Sequence, residues 1–353
     1  MNSSNRLGLD YQTEAKQFSR VYPRIIDIHT HIVGGAAAQI YKRAAHDYGI
    51  TKTFSMTAYS KVAAVKEVMK DAIEFIVIPD WADPDPKHAF GMGYIETIEK
   101  FYQLGSRIVK FWSAPRGVDI GLKVEDPRLL KIDAAHRIEA MKKAAALKMI
   151  MMVHVGDPDT WFATKYANSA KYETKREQYV GFERVLDLFD LPWIAAHMGG
   201  WPEDLNFLSG MLERHSNLYL DCSATKWIVR ELSKHSRDEL ISFFTRWKGR
   251  ILFGSDIVTN DSHLNSEPSG NEMANKASNV DEAYDLYASR YWALRTLFET
   301  SYQGESPISD PDLAMVAPDK FSPLDAPALR GKQFPEDILH SLYYGAAEAL
   351  LAP

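Results

Sequence analysis

Imidazole and carboxylate side chains stand at the ends of short apolar runs: His29 and His31 in IIDIHTHI, His154 in MIMMVHV, His197 in PWIAAH and Asp256 in RILFGSD. Residues i and i+2 on a strand share a face, so His29 and His31 can close on one ion as a chelate. The same alternation would aim His154 inward with Ile150 and Met152, His197 with Ala195, and Asp256 with Gly254 and Leu252. Each signal is weak alone. With 11 His in 353 residues an His-x-His pair is an ordinary coincidence. A single strand-end His is more often a hydrogen-bonded structural residue than a ligand. Recurrence at a regular spacing makes the group a candidate metal centre.

Those positions need strands, and the strands need a scaffold. Apolar, β-branched runs occur at 25–32, 53–58, 74–79, 106–112, 149–155, 192–197, 217–223 and 250–256. Amphipathic stretches lie between them, at 61–72, 94–104 closed by Gly105, 133–147 and 176–189. Another starts at Ser236, where Ser236 and Glu239 form a capping box, and stops near Gly249. The 227 positions from His29 to Asp256 give about 32 per strand-to-strand step, the length of a (β/α)8 repeat. The expected fold is therefore α/β, a distorted (β/α)8 TIM barrel, with active-site residues at the C-terminal rim of its strands. We expect one domain over 1–353, with an N-terminal arm at 1–23 and an insert and loops at 259–335. A polar insert over 259–281 would be a lid or a solvated loop.

Composition narrows the partners. Lys+Arg 41 against Asp+Glu 47 gives a net charge of −6, with no basic excess for nucleic acid. The single Cys222 forbids an internal disulfide and a cysteine-based zinc site, and we assign it a packing role. The first 20 residues have no apolar signal segment and no run is long enough to span a membrane, so a cytoplasmic location is expected. The N-terminal arm and the aromatic stretch AYDLYASRYWALRTLFETSY would suit a homodimer. Gly91-Met92-Gly93 lacks the context of a phosphate cradle, and Asn2-Ser3-Ser4 matches a glycosylation acceptor by chance.

The motifs IIDIHTHI, MMVHVG, IAAHMGG and RILFGSDI, in that order and spacing, resemble the amidohydrolase superfamily, and within it the amidohydrolase-related branch of metal-dependent hydrolases, decarboxylases and hydratases. The resemblance covers about residues 24–260. It implies that His29, His31 and His154 are metal ligands, that Asp256 is a ligand that also moves protons, and that His197 is an acid/base group or a further ligand. Three neutral imidazoles and one carboxylate would hold one divalent ion, zinc first and manganese as the alternative, and would keep an open position where water is acidified.

Lys110, inward in IVKFW, has three readings. The superfamily's binuclear members carry a carbamylated, bridging lysine there; otherwise Lys110 binds a substrate carboxylate or pairs with an acid. Trp81, Trp112, Trp201 and Trp227 follow candidate strands, with Arg116 and Arg230 in or near the same loops. They suit a planar acid, or else cover the barrel top. The leading expectation is a hydrolase acting at a carbonyl, lactone or amide-type carbon of a small molecule. A non-oxidative decarboxylase of an aromatic or unsaturated acid is the alternative, and a barrel kept only for binding is the third.

Overall fold

The computed structural model describes residues 2–18, 24–266 and 275–352. Nine strands carry the site: β1 (Ile25–His31), β2 (Ile50–Met56), β3 (Ile73–Val77), β4 (Ile108–Trp112), β5 (Ile150–His154), β6 (Trp193–Ala195), β7 (Leu218–Asp221), β8 (Ile251–Leu252) and β9 (Ile257–Val258). Helices separate most of them, as the (β/α) repeat requires. The chain divides into two compact bodies, one made of residues 1–55, 61–74 and 222–353, the other of 56–60 and 75–221.

In the first body β1 pairs in parallel with β2, from Ile25 opposite Ile50 to Thr30 opposite Ser55, and on its other side with β9. The strand core is apolar: Ile25, Ile28, Phe54, Leu252 and Phe253 are buried. Helix Gly35–Asp47 packs against helix Val280–Glu299, whose Tyr287, Tyr291 and Leu294 are also buried. The aromatic stretch thus faces its own body. The arm packs there too, through Trp292 Nε1 donating to Glu14 at 2.9 Å and Tyr48 donating to the Tyr11 carbonyl. Cys222 is fully buried, with its amide donating to the Leu252 carbonyl at 2.9 Å.

In the second body β4, β5, β6 and β7 form a parallel ladder, with the end of β3 beside β4. Apolar side chains fill it on both faces, as parallel strands demand: Val109, Phe111, Met151, Val153, Trp193 and Ile194 are buried.

The expected strands are present with limits shifted by one to four residues, and three of the shifts bear on the site. β2 runs over 50–56 rather than 53–58, because Ile50 is already opposite Ile25. β6 stops at Ala195, and β8 at Leu252 before pairing resumes in β9. Beyond both stops lies left-handed backbone, φ 60° at His197 and 58° at Asp256, which an extended strand does not contain. Strand alternation from Ala195 or Gly254 therefore does not aim these two side chains; the turns do. Helices at 92–103, 135–146 and 175–188 match expectation, and Ser236 and Glu239 form the capping box in front of Arg237–Arg246. The loops at 303–335 contain a hairpin, Gln303–Glu305 against Ala328–Arg330, and a short helix, Asp312–Val316. The insert begins with a 3-10 turn at Asp261–Leu264, where Asp261 accepts from the Ala37 amide at 2.8 Å. Its residues 267–274, and with them the lid expectation, lie outside the described residues.

Candidate metal centre

In the first body, His29, His31 and Asp256 bring one ligand atom each within 4.8 Å of one another. Asp256 Oδ1 lies 3.5 Å from His29 Nε2 and 3.2 Å from His31 Nε2. Ligand atoms held at about 2.0–2.2 Å around a tetrahedral zinc are about 3.3–3.6 Å apart, so the donor set fits a divalent ion. His29 is aimed from behind. Its Nδ1 lies 3.0 Å from Ser223 Oγ, so a proton on Nδ1 would leave the Nε2 lone pair for a metal. Gly254 makes room for this: a Cβ there would sit 3.0 Å from His29 Cβ and 3.1 Å from Ser223 Cβ.

Asp27 supports the same strand end. It shares a face with His29 and His31, is fully buried, and accepts from the His29 amide, the Ser255 amide and hydroxyl, and the Tyr291 hydroxyl. Burial pushes its carboxyl up to about 7 against the pull of those hydrogen bonds. Asp27 thereby ties β1 to the turn that carries Asp256.

In the second body, His154 and His197 meet edge to face, ring centroids 4.6 Å apart. His154 Nε2 is 2.9 Å from Asp157, and Tyr166 donates to the other Asp157 oxygen at 2.7 Å. Burial works against the Asp157 charge, but His154 and the hydrogen bonds win and hold its pKa below the ordinary value. His197 begins a run of four left-handed residues, with Met198, Gly199 and Gly200, and its amide donates to Asp221 at 2.9 Å. Gly200 passes so close to β5's end that a Cβ would fall 2.2 Å from the Gly156 carbonyl. Beside His154 stands Trp112, 6.2 Å away, with Trp81 edge-on to it at 5.6 Å and the Arg116 guanidinium 5.3 Å over its ring. Lys110 is buried on β4.

The model of the amidohydrolase family matches residues 26–352, nearly the whole chain. The chain belongs to the amidohydrolase family. No curated protein matches this chain. Among solved structures it is similar to an Agrobacterium tumefaciens protein, at 12% identity and TM-score 0.46 over 94% of this chain and 97% of that one. A probable 2-pyrone-4,6-dicarboxylic acid hydrolase of Acinetobacter baumannii follows at 10% and 0.42, over 75% and 91%. A 2,6-dihydroxybenzoate decarboxylase from Rhizobium stands at 13% and 0.42, over 77% and 99%. Family membership carries the metal-dependent (β/α)8 barrel enzyme class expected from the motifs.

Two of the softer sequence candidates have close side-chain partners of their own. Trp201 stacks on Tyr179 at 5.7 Å and meets Phe207 at 4.6 Å, with Lys175 over it at 4.8 Å. Arg230 is buried among Glu231, Asp310 and Asp312, a grip that anchors the 303–335 segment to helix Thr225–Lys234. Asp27, Ser223, Asp157 and Tyr166 escaped the sequence reading. An acid inside an apolar run, in register with two histidines, was the available signal for Asp27. None of the described helices is long and apolar enough to cross a membrane.

Proposed function

We propose that this chain is a metal-dependent hydrolase acting at a carbonyl, lactone or amide-type carbon of a small organic substrate. The observation that carries the reading is the approach of Asp256 Oδ1 to both His29 Nε2 and His31 Nε2. Those three residues are the proposed ligands, and the family pattern adds His154, which with Asp157 on Nε2 would coordinate through Nδ1. Zinc suits the donors first, manganese second. A bound divalent ion would acidify water and polarise the substrate's oxygen. Asp256 accepts the proton that water loses as its oxygen bonds to the carbonyl carbon. The bond from that carbon to the leaving group then breaks, and the proton held by Asp256 passes to the leaving group with His197 as the relay, a role that rests on the family pattern.

A second reading is release of CO2 from an aromatic acid, with protonation of the ring carbon. The grouping of Trp81, Trp112 and Arg116 favours it, since flat rings with a guanidinium suit a planar carboxylate. The test is elemental analysis of the purified protein together with its Lys110→Ala variant, then screens for lactone or amide hydrolysis and for CO2 from aromatic hydroxy acids. One ion per chain in both proteins, with hydrolysis, is the expected result. Two ions falling on Lys110 substitution would make Lys110 a bridge, and CO2 without hydrolysis would install the second reading.

A further inference from the structure

β4 outlasts its neighbour. β3 and β4 pair only at Ile76 with Ile108 and Val77 with Val109, whereas β4 stays paired with β5 as far as Trp112 opposite His154. The Ile150 amide donates to the Arg107 carbonyl and the Ser113 amide to the His154 carbonyl. Odd-numbered peptide groups of β4 therefore face β5, and the carbonyls of Lys110 and Trp112 face the side that β3 has left. Continuing the β3 register by one pair assigns the Lys110 carbonyl to the amide of residue 79. That residue is Pro79, which has no N–H.

Two side chains supply donors instead. The Tyr94 hydroxyl, from helix Met92–Gln103, donates to the Lys110 carbonyl, with the Val77 carbonyl 3.4 Å away. Arg137, from helix Ala135–Ala146, donates from Nη2 to the Trp112 carbonyl at 3.1 Å. Both residues are 1% exposed. Arg137 lies 5.4 Å over the Phe111 ring, and its Nε has no hydrogen-bond partner among the described residues. Burial pulls its pKa down to about 10. A desolvated guanidinium held by a carbonyl and a ring is a poor choice for stability alone, since an apolar side chain of that size would cost less. What it adds is a fixed direction for one peptide plane.

We propose that Tyr94 and Arg137 are positioning residues that replace the absent strand and fix the peptide planes of Lys110 and Trp112, whose side chains share one face of β4. Calling those side chains substrate contacts rests on the proposed function; the primary readout does not. The near-ultraviolet circular dichroism of wild type minus Trp112→Phe isolates the Trp112 band. In Arg137→Met that band should shrink about twofold with metal content unchanged, while Arg137→Lys, which keeps a donor, retains most of it. An intact Trp112 band in folded Arg137→Met overturns the proposal. Should Arg137→Met not fold, Tyr94→Phe carries the test through kinetics, with Arg137→Lys near wild type. KM of Tyr94→Phe should then rise about tenfold with kcat nearly constant, and the rise should vanish in the Lys110→Ala background. Equal losses with and without Lys110 mean packing only, and overturn it. A wild type that turns over no substrate defeats the functional reading, and the dichroism still decides this one.

Discussion

Asp256 is one carboxylate with two neighbouring imidazoles, so its replacement separates shape from chemistry. Asp256→Asn keeps the volume and removes the proton acceptor; kcat should fall at least about 100-fold while far-ultraviolet circular dichroism is unchanged. Near-normal turnover would remove Asp256 from the reaction. His197→Ala should lose catalysis and keep its metal by elemental analysis; loss of the metal would make His197 a ligand. Asp157→Asn should weaken metal binding about 10–100-fold in a chelator competition, because the hydrogen bond that orients His154 loses its charge. The five residues proposed for the reaction were legible in the sequence because they end apolar runs. Their supports were not. Asp157 and Tyr166 are brought to His154 by a turn and a short loop, and Ser223 reaches His29 across 194 positions of chain, a separation that no local pattern encodes.

At the scale of elements, periodicity found the strands and overran their ends. The left-handed turns at His197 and Asp256 carry no glycine at the decisive position, so nothing in HMGG or GSD marks where the ladder stops. Those turns hold the backbone where a non-glycine residue costs about 1 kcal/mol or more. Gly200→Ala should destabilise the protein by at least about 2 kcal/mol, read as a lower urea midpoint at unchanged slope, because its Cβ would meet the Gly156 carbonyl at φ 78°. The loop after β3 has its own fastening, His88 Nδ1 to Asp83 at 2.7 Å. That hydrogen bond raises the His88 pKa above 6.5 and lowers that of Asp83 below 3.8. The His88 contribution is complete below pH 6.5 and lost as pH rises through its raised value; the Asp83 contribution is complete above pH 3.8 and lost as pH falls through its lowered value. In an NMR titration, Asp83→Asn should return the His88 midpoint toward 6.5.

For the whole molecule, metal occupancy should appear as stability. An ion that binds only the folded chain adds about 2.7 kcal/mol at a hundred times its dissociation constant. Zinc should therefore raise the thermal midpoint of the metal-stripped protein, and His31→Ala should abolish the rise; an equal rise in that variant would place the binding elsewhere. The α/β class and eight of the nine strands of the sheet could be read from the chain, whereas its division into two bodies could not, because one body is assembled from three separated stretches.

Cys222 sits at the seam of that chain path, the first residue of the last stretch, wholly buried and bonded to the Leu252 carbonyl. As the only thiol it is a built-in clock. A thiol reagent can reach it only when the packing around it opens, so its labelling reports that opening with no engineered probe.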